Sequence, residues 1–204
     1  MTGRLVLKMS MSLDGFVCGP AGEVDWIFET FDEGAVAWTV ATLAEADVHI
    51  MGSRTFADMA AWWPTSTEPF AAPMNEKPKV SFARSGPAST TAALKDATRA
   101  REARGESEAE SAAQASWRDA EIARGDLAAE IAALKRRYGT ILAHGGARFA
   151  QSLVACGLID EYRLLIHPVA LGRGMPLFTE SRTRLRLLGT QAFSAAVAHI
   201  YAAA

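Results

Sequence analysis

The 204-residue chain is 50% hydrophobic with a net charge of -2, enough apolar content to bury one core, and it is read as one domain. Its 21 basic residues are interspersed with 23 acidic ones, so neither nucleic acid nor an anionic membrane is expected as a partner. Cys18 and Cys156 form no CxxC or metal-ligand spacing, and no window reaches the roughly 18 apolar residues of a membrane span, so a reduced, soluble, cytoplasmic protein without a bound metal is expected.

Residues 4–12 hold Leu5, Val6, Leu7, Met9 and Met11 ahead of the turn pair Asp14-Gly15, which predicts a buried strand emptying into a loop kept open by Gly19, Pro20 and Gly22. Val36, Val40 and Leu43 recur at helical spacing within residues 32–46, and residues 47–51 read as a second strand. The run SRTFADM predicts a short helix with Ser53 as its cap, followed by a Trp62-Trp63-Pro64 break and a Pro-rich loop. KVSFA at residues 79–83 reads as a third strand. Residues 86–116 are rich in Ala, Glu, Arg, Ser and Thr with almost no large apolar side chain, and read as a solvated insertion for which helix and disorder both stay open. Residues 117–123 are expected to form a short strand. Gly125-Asp126 opens a helix with Leu127, Ile131 and Leu134 on one face and Lys135, Arg136 and Arg137 in its last turn. A strand at 140–143, a helix at 147–156 closed by Gly157, a strand at 162–167 and a strand pair at 185–190 and 195–203 complete the chain. The alternation predicts an α/β fold, its central sheet mostly parallel with an antiparallel C-terminal edge hairpin.

Four segments fall at strand ends: SLDG, MGSRTF, SFARSG and HGGARF. In open α/β sheets the carboxyl ends of the strands form the ligand crevice, so these ends can converge on one site. Gly145 and Gly146 allow close backbone approach, and the helix after them points unpaired N–H groups and a partial positive charge at that spot, which suits an anionic cofactor. Arg54 and Thr55 offer a forked cation and a hydroxyl to a phosphate, and Ser81 and Arg84 offer the same to another. Each alone also reads as a capped helix or a surface arginine; together they favour the site. Neither GxGxxG nor a Walker A sequence is present, so a dinucleotide must be held another way.

The blocks MSLDGFV, IMGSRTF, HGGARFAQSL with GLIDEYRL, and PVALGRGMPLF resemble the dihydrofolate reductase-like superfamily, in the branch of the C-terminal reductase domain of bifunctional riboflavin biosynthesis proteins. The resemblance covers most of the chain outside residues 86–116. It implies a three-layer fold, a homodimer, and NADPH-dependent hydride transfer to a small heterocyclic or carbonyl-like acceptor. By analogy Ser53, Arg54 and Thr55 would lie along the cofactor phosphates, Ser81 and Arg84 near the adenosine 2′-phosphate, and Gly145, Gly146, Ala147 and Arg148, with His144 just ahead of them, around the pyrophosphate. The backbone near Met9 and Ser10 and the loop around Gly19 would border the nicotinamide. The Gly-Gly bond is often cis in this superfamily.

Asp14 is the expected proton donor, against an equal reading as a turn aspartate capping Gly15. Asp25, Trp26 and Phe28 are expected in a lid or pocket wall, and His49, His167 and His199 in structural roles. His144 stands where riboflavin-pathway reductases of this branch carry a glutamate, which argues against their substrate. Asp32 and Glu33 sit in a segment that matches true dihydrofolate reductases poorly. Two alternatives remain: a reductase of the 5-amino-6-(5-phosphoribosylamino)uracil type in riboflavin synthesis, and a non-catalytic nucleotide-binding protein with the insertion as an interaction arm.

Overall fold

The computed structural model describes residues 2–83, 112–179 and 182–204; Arg84 and residues 86–111 of the expected insertion lie outside them. Six strands run parallel: β1 (Arg4–Ser12), β3 (Val48–Gly52), β4 (Lys79–Phe82), β5 (Glu121–Ala123), β6 (Thr140–His144) and β7 (Glu161–His167). β9 (Leu185–Ala192) and β10 (Val197–Ala203) add the antiparallel edge, giving the order β5-β4-β3-β6-β1-β7-β10-β9. This is the expected α/β sheet. β7 is paired on both edges, so the apolar run around it serves the core.

The period-2 alternation of β1 sorts the two faces. Leu5, Leu7 and Met9 pack under α5 (Leu127–Arg137) and α6 (Ala147–Ala155), with Ile131, Leu134, Ala150 and Leu153. Val6, with Met51 and Leu142, faces the other way onto α1 (Glu33–Ala44), α2 (Ser53–Trp62), α3 (Ala71–Glu76) and α4 (Ala112–Arg118) through Leu43, Phe56, Met74 and Trp117. The sheet is thus the middle of three layers.

Several local expectations change. The Pro-rich loop contains α3, because Pro73 falls in its first turn, where a missing N–H costs no hydrogen bond. Trp117 belongs to α4, not to a strand: its ring is buried and its Nε1 donates to Asn75 Oδ1 at 2.7 Å. Residues 112–116, assigned to the insertion, are therefore the start of that helix. Ser53 opens α2 without capping it; Gly52 is the cap residue. Within the loop expected to be open, β2 (Phe16–Cys18) pairs with β8 (Met175–Pro176) as a short antiparallel ribbon. No peptide bond among the described residues is cis, so the Gly145–Gly146 bond is trans, and both glycines take positive φ, 69° and 73°.

Asp126 caps α5 as its sequence suggested, accepting from Ala129 N at 3.0 Å. Asp126→Ala should cost about 1 kcal/mol and lower the unfolding midpoint by about 2–4 °C in a circular dichroism melt. An unchanged midpoint would mean that α5 is held by packing alone. Cys18 is buried, Cys156 is exposed, and both are free thiols. Among the described residues no helix is long and apolar enough to cross a membrane.

Candidate functional site

A cleft of about 530 Å³ opens at the carboxyl ends of β3, β4 and β5, where the chain leaves Gly52 for α2 and Phe82 for Ala83. Its floor is the tilted pair Phe82 and Phe149, with ring centroids 5.0 Å apart. Ser53, Arg54 and Thr55 come from the first turn of α2, and Ala147 and Arg148 from that of α6. Two helix amino ends therefore face one space, each with first-turn N–H groups that have no partner inside their own helix.

The contact between them explains both glycines. A Cβ on Gly145 would lie 2.5 Å from Thr55 Cγ2, and one on Gly146 2.7 Å from Thr55 Oγ1. Positive φ excludes most side chains from these positions in any case. Only glycine lets the turn close onto α2. Arg54 and Arg148 are exposed, and among the described residues no carboxylate pairs with either. Both stand at the cleft.

The other expected residues divide. Gly19 is buried, its N–H donating to Glu23 O at 2.9 Å, and its neighbour Cys18 lines the cleft. Met9 and Ser10 are buried in β1. Ser81 is fully buried within β4, and the residues after it, Phe82 and Ala83, line the cleft. Sequence reading also missed Cys18, Leu127, Phe149 and Met175 at the cleft. Phe82 and Phe149 stood inside quoted motifs, but those motifs were searched for charge.

Asp14 is a correction. Its carboxylate accepts from Ser12 Oγ at 2.6 Å, Gly172 N at 2.7 Å and Leu171 N at 3.1 Å. The Ser12 hydroxyl first, then those backbone donors, hold its pKa below the usual carboxylate value. A carboxylate stabilised as the anion is a poor proton donor. It clamps the first-strand loop to the turn after β7. Trp26 is buried edge-on to His167, 5.5 Å between centroids, whereas Asp25 and Phe28 are exposed.

A polar cluster lies on the sheet face that α1 covers. Lys8 is opposite His144 in the β1–β6 register, and Ser12 is opposite His167 in the β1–β7 register. Parallel register partners share a face, so Lys8, Ser10, Ser12, His144 and His167 project together. His49 Nδ1 and His144 Nε2 are 3.0 Å apart, one donating and the other accepting. Thr30 Oγ1 meets His167 Nδ1 at 2.7 Å. Burial, then the charges of Lys8 and Lys79, lower the His144 pKa to about 3. Burial, then Lys8, lowers His167 to about 4, and burial lowers Lys8 to about 8. Both imidazoles are neutral at physiological pH. His49 and His167 are both fully buried, and among the described residues His167 Nε2 has no hydrogen-bond partner.

A larger hollow, about 1170 Å³, lies between α3, α4 and Tyr138, beside Lys79 at the start of β4. It is at the amino ends of the strands, away from the crevice where open α/β sheets bind ligands.

The family model described as "RibD C-terminal domain" matches residues 4–198. Two Bacillus subtilis proteins described as uncharacterized, YyaP and YwjB, are 28% and 27% identical; the alignments cover 97% of this chain in both cases, and 93% and 96% of those proteins. Among solved structures, a putative riboflavin biosynthesis protein from Shewanella sp. PV-4 superposes with a TM-score of 0.70 at 20% identity, covering 100% of this chain and 99% of that one. RibD of Acinetobacter baumannii gives 0.68 at 16% identity, over 100% of this chain and 58% of that one. A pyrimidine reductase-like protein from Corynebacterium diphtheriae gives 0.60 at 13%, over 99% and 92%.

Proposed function

The chain belongs to the RibD C-terminal domain family with its dihydrofolate reductase-like fold, and from that premise we propose that it is an NADPH-dependent reductase acting on a small heterocyclic or carbonyl-like substrate. The observation that carries this reading is the cleft where two helix amino ends and the Gly145–Gly146 turn meet, with Arg54 and Arg148 unpaired among the described residues. Bound NADPH supplies a hydride. The chain's own part is to hold the phosphates: first-turn N–H groups and the Thr55 hydroxyl receive the pyrophosphate, while the two guanidiniums fork onto phosphate oxygens. Arg84 remains the expected contact of the 2′-phosphate.

The substrate end belongs on the far side of the same turn, where His144 precedes Gly145 and Lys8 stands opposite it. With Asp14 clamped to residues 171 and 172, Lys8, in register with His144, is the cation on that sheet face that would steady developing negative charge on an acceptor heteroatom. A relative from Thermotoga maritima, described as a deaminase and 5-amino-6-(5-phosphoribosylamino)uracil reductase, shares the fold at 12% identity. That pyrimidine stays the alternative substrate, with His144 rather than glutamate beside it.

Titration of purified protein with NADPH, followed by nucleotide fluorescence and run beside NADH, tests the cofactor. Arg54→Ala and Arg148→Ala should each weaken NADPH about tenfold or more, the loss expected for one charge-assisted phosphate contact. Failure of both nucleotides to bind would remove the reductase reading. Consumption of NADPH against a panel of pyrimidines and carbonyl compounds then separates an enzyme from a binding protein.

A further inference from the structure

One wall of the cleft is made by two short strands far apart in sequence. Cys18 of β2 and Met175 of β8 line it, and these strands pair with each other in a sheet of two. A two-stranded ribbon is marginal on its own, so its anchors decide where the wall stands. Part of it is rooted in the core, where Val17 and Leu177 are buried. Gln151 Nε2 of α6 also donates to Pro176 O at 2.7 Å. A Cβ on Gly174 would run into the Cys18 carbonyl, so the returning chain lies directly on β2.

The remaining anchor is Asp14, which joins the chain entering β2 to the chain entering β8. Its Oδ1 accepts from Leu171 N and its Oδ2 from Gly172 N, while Ser12 Oγ, which donates to Oδ1, accepts in turn from Phe16 N at 2.9 Å. Gly15 and Gly172 supply the positive φ, 90° and 69°, that the two turns need. The carboxylate is exposed, and among the described residues no cation pairs with it. Every donor it takes belongs to one of these two loops. Its negative charge strengthens those bonds and serves nothing else in the fold.

We propose that Asp14 is a positioning residue for the cleft: its hold on residues 171 and 172 sets the β2–β8 ribbon, with Cys18 and Met175, against the bound ligand. The identity of that ligand as NADPH rests on the reductase reading; the wall and its anchor do not. The core contacts of Val17 and Leu177 survive loss of the clamp, so the fold persists while the ribbon loosens. Two results follow. Bound nucleotide loses a wall, and Cys18, a buried thiol whose pKa burial raises, becomes open to reagents.

The experiment follows alkylation of Cys18 by iodoacetamide in a Cys156→Ser background, where the exposed thiol no longer reports. Asp14→Asn keeps the size of the side chain but sets an amide N–H against a backbone N–H. It should speed Cys18 alkylation about fivefold or more while the urea midpoint stays at the wild-type value. Asp32→Asn is the matched control: Asp32 likewise takes backbone N–H groups, those of Ala35, Ser194 and Ala195, but lines no part of the cleft, so the Cys18 rate should not change. NADPH should slow Cys18 alkylation in the wild type, and Asp14→Asn should weaken NADPH about fivefold. An unchanged Cys18 rate, an equal rise with Asp32→Asn, a rise that only tracks a lowered urea midpoint, or equal NADPH affinity in wild type and Asp14→Asn would overturn the proposal. If NADPH binds neither protein, the reductase reading falls and the alkylation rates decide the clamp by themselves. If NADPH binds and the alkylation rates agree, only the clamp falls.

Discussion

Gly146→Ala should destabilise the protein by about 2–5 kcal/mol and abolish measurable NADPH binding. Two costs add. The residue has φ of 73°, where a β-carbon costs roughly 1–2 kcal/mol. The new Cβ would also stand 2.7 Å from Thr55 Oγ1, and relieving such overpacking costs about 1–3 kcal/mol. The functional loss follows from the same geometry, because moving the turn off α2 separates the two helix ends that face the cleft. The shares can be divided by a double-variant cycle. Adding Thr55→Ala removes the clashing hydroxyl and should recover the overpacking part, leaving the conformational part. Urea unfolding reads the stability and fluorescence titration the binding. A single variant with wild-type midpoint and wild-type NADPH affinity would show that the turn does not press on α2.

Lys8→Met should do the opposite to stability, raising it by about 3 kcal/mol near neutral pH while removing the charged group of the substrate end. The unfolded chain keeps this proton up to about 10.5, whereas burial makes the folded protein release it above about 8. The penalty is thus complete below about pH 8 and is relieved as pH rises towards 10.5, so wild-type stability should climb through that window more steeply than the variant's, in which Lys79, lowered by burial to about 7, still titrates. On the acid side His144 and His167 titrate in the unfolded chain near 6.5 but in the folded protein only near 3 and 4. Stability should fall as pH drops from 6.5 towards those values, in wild type and variant alike. Chemical denaturation at a series of pH values checks both limbs. Equal slopes for wild type and variant between pH 8 and 10.5 would mean that the Lys8 ammonium is solvated.

The parts of the fold that were legible in the sequence are those that local chemistry decides. Alternation along β1 and the aspartate before α5 act on neighbours within a few residues, and the positive φ of the HGGARF glycines is likewise a local demand, although their contact with Thr55 is not. The misread parts depend on distant partners. Trp117 is helical and buried because Asn75, 42 residues away, accepts its indole N–H and α3 and α2 close over it. Asp14 was read as a possible donor because nothing nearby shows that residues 171 and 172 would return to take it, 157 and 158 positions later. For Lys8 a signal was present and passed over: one lysine inside LVLKMSM, in step with Val6 and Ser10, already placed a charge on a covered sheet face. The cleft was found through its cations and glycines, and its aromatic floor was not, since Phe82 at the end of β4 meets Phe149 of α6 across the end of the intervening β3.

That order has a temporal meaning. β6 lies between β1 and β3, although both of those strands precede it by about half the chain. The amino-terminal half alone therefore has a gap at its centre, and the Gly145–Gly146 turn arrives on the very segment that fills it. The cleft cannot exist in a partly assembled sheet. A ligand of that cleft would stabilise only the completed architecture, so it would act as a brake on unfolding and have no handle on the early steps of folding.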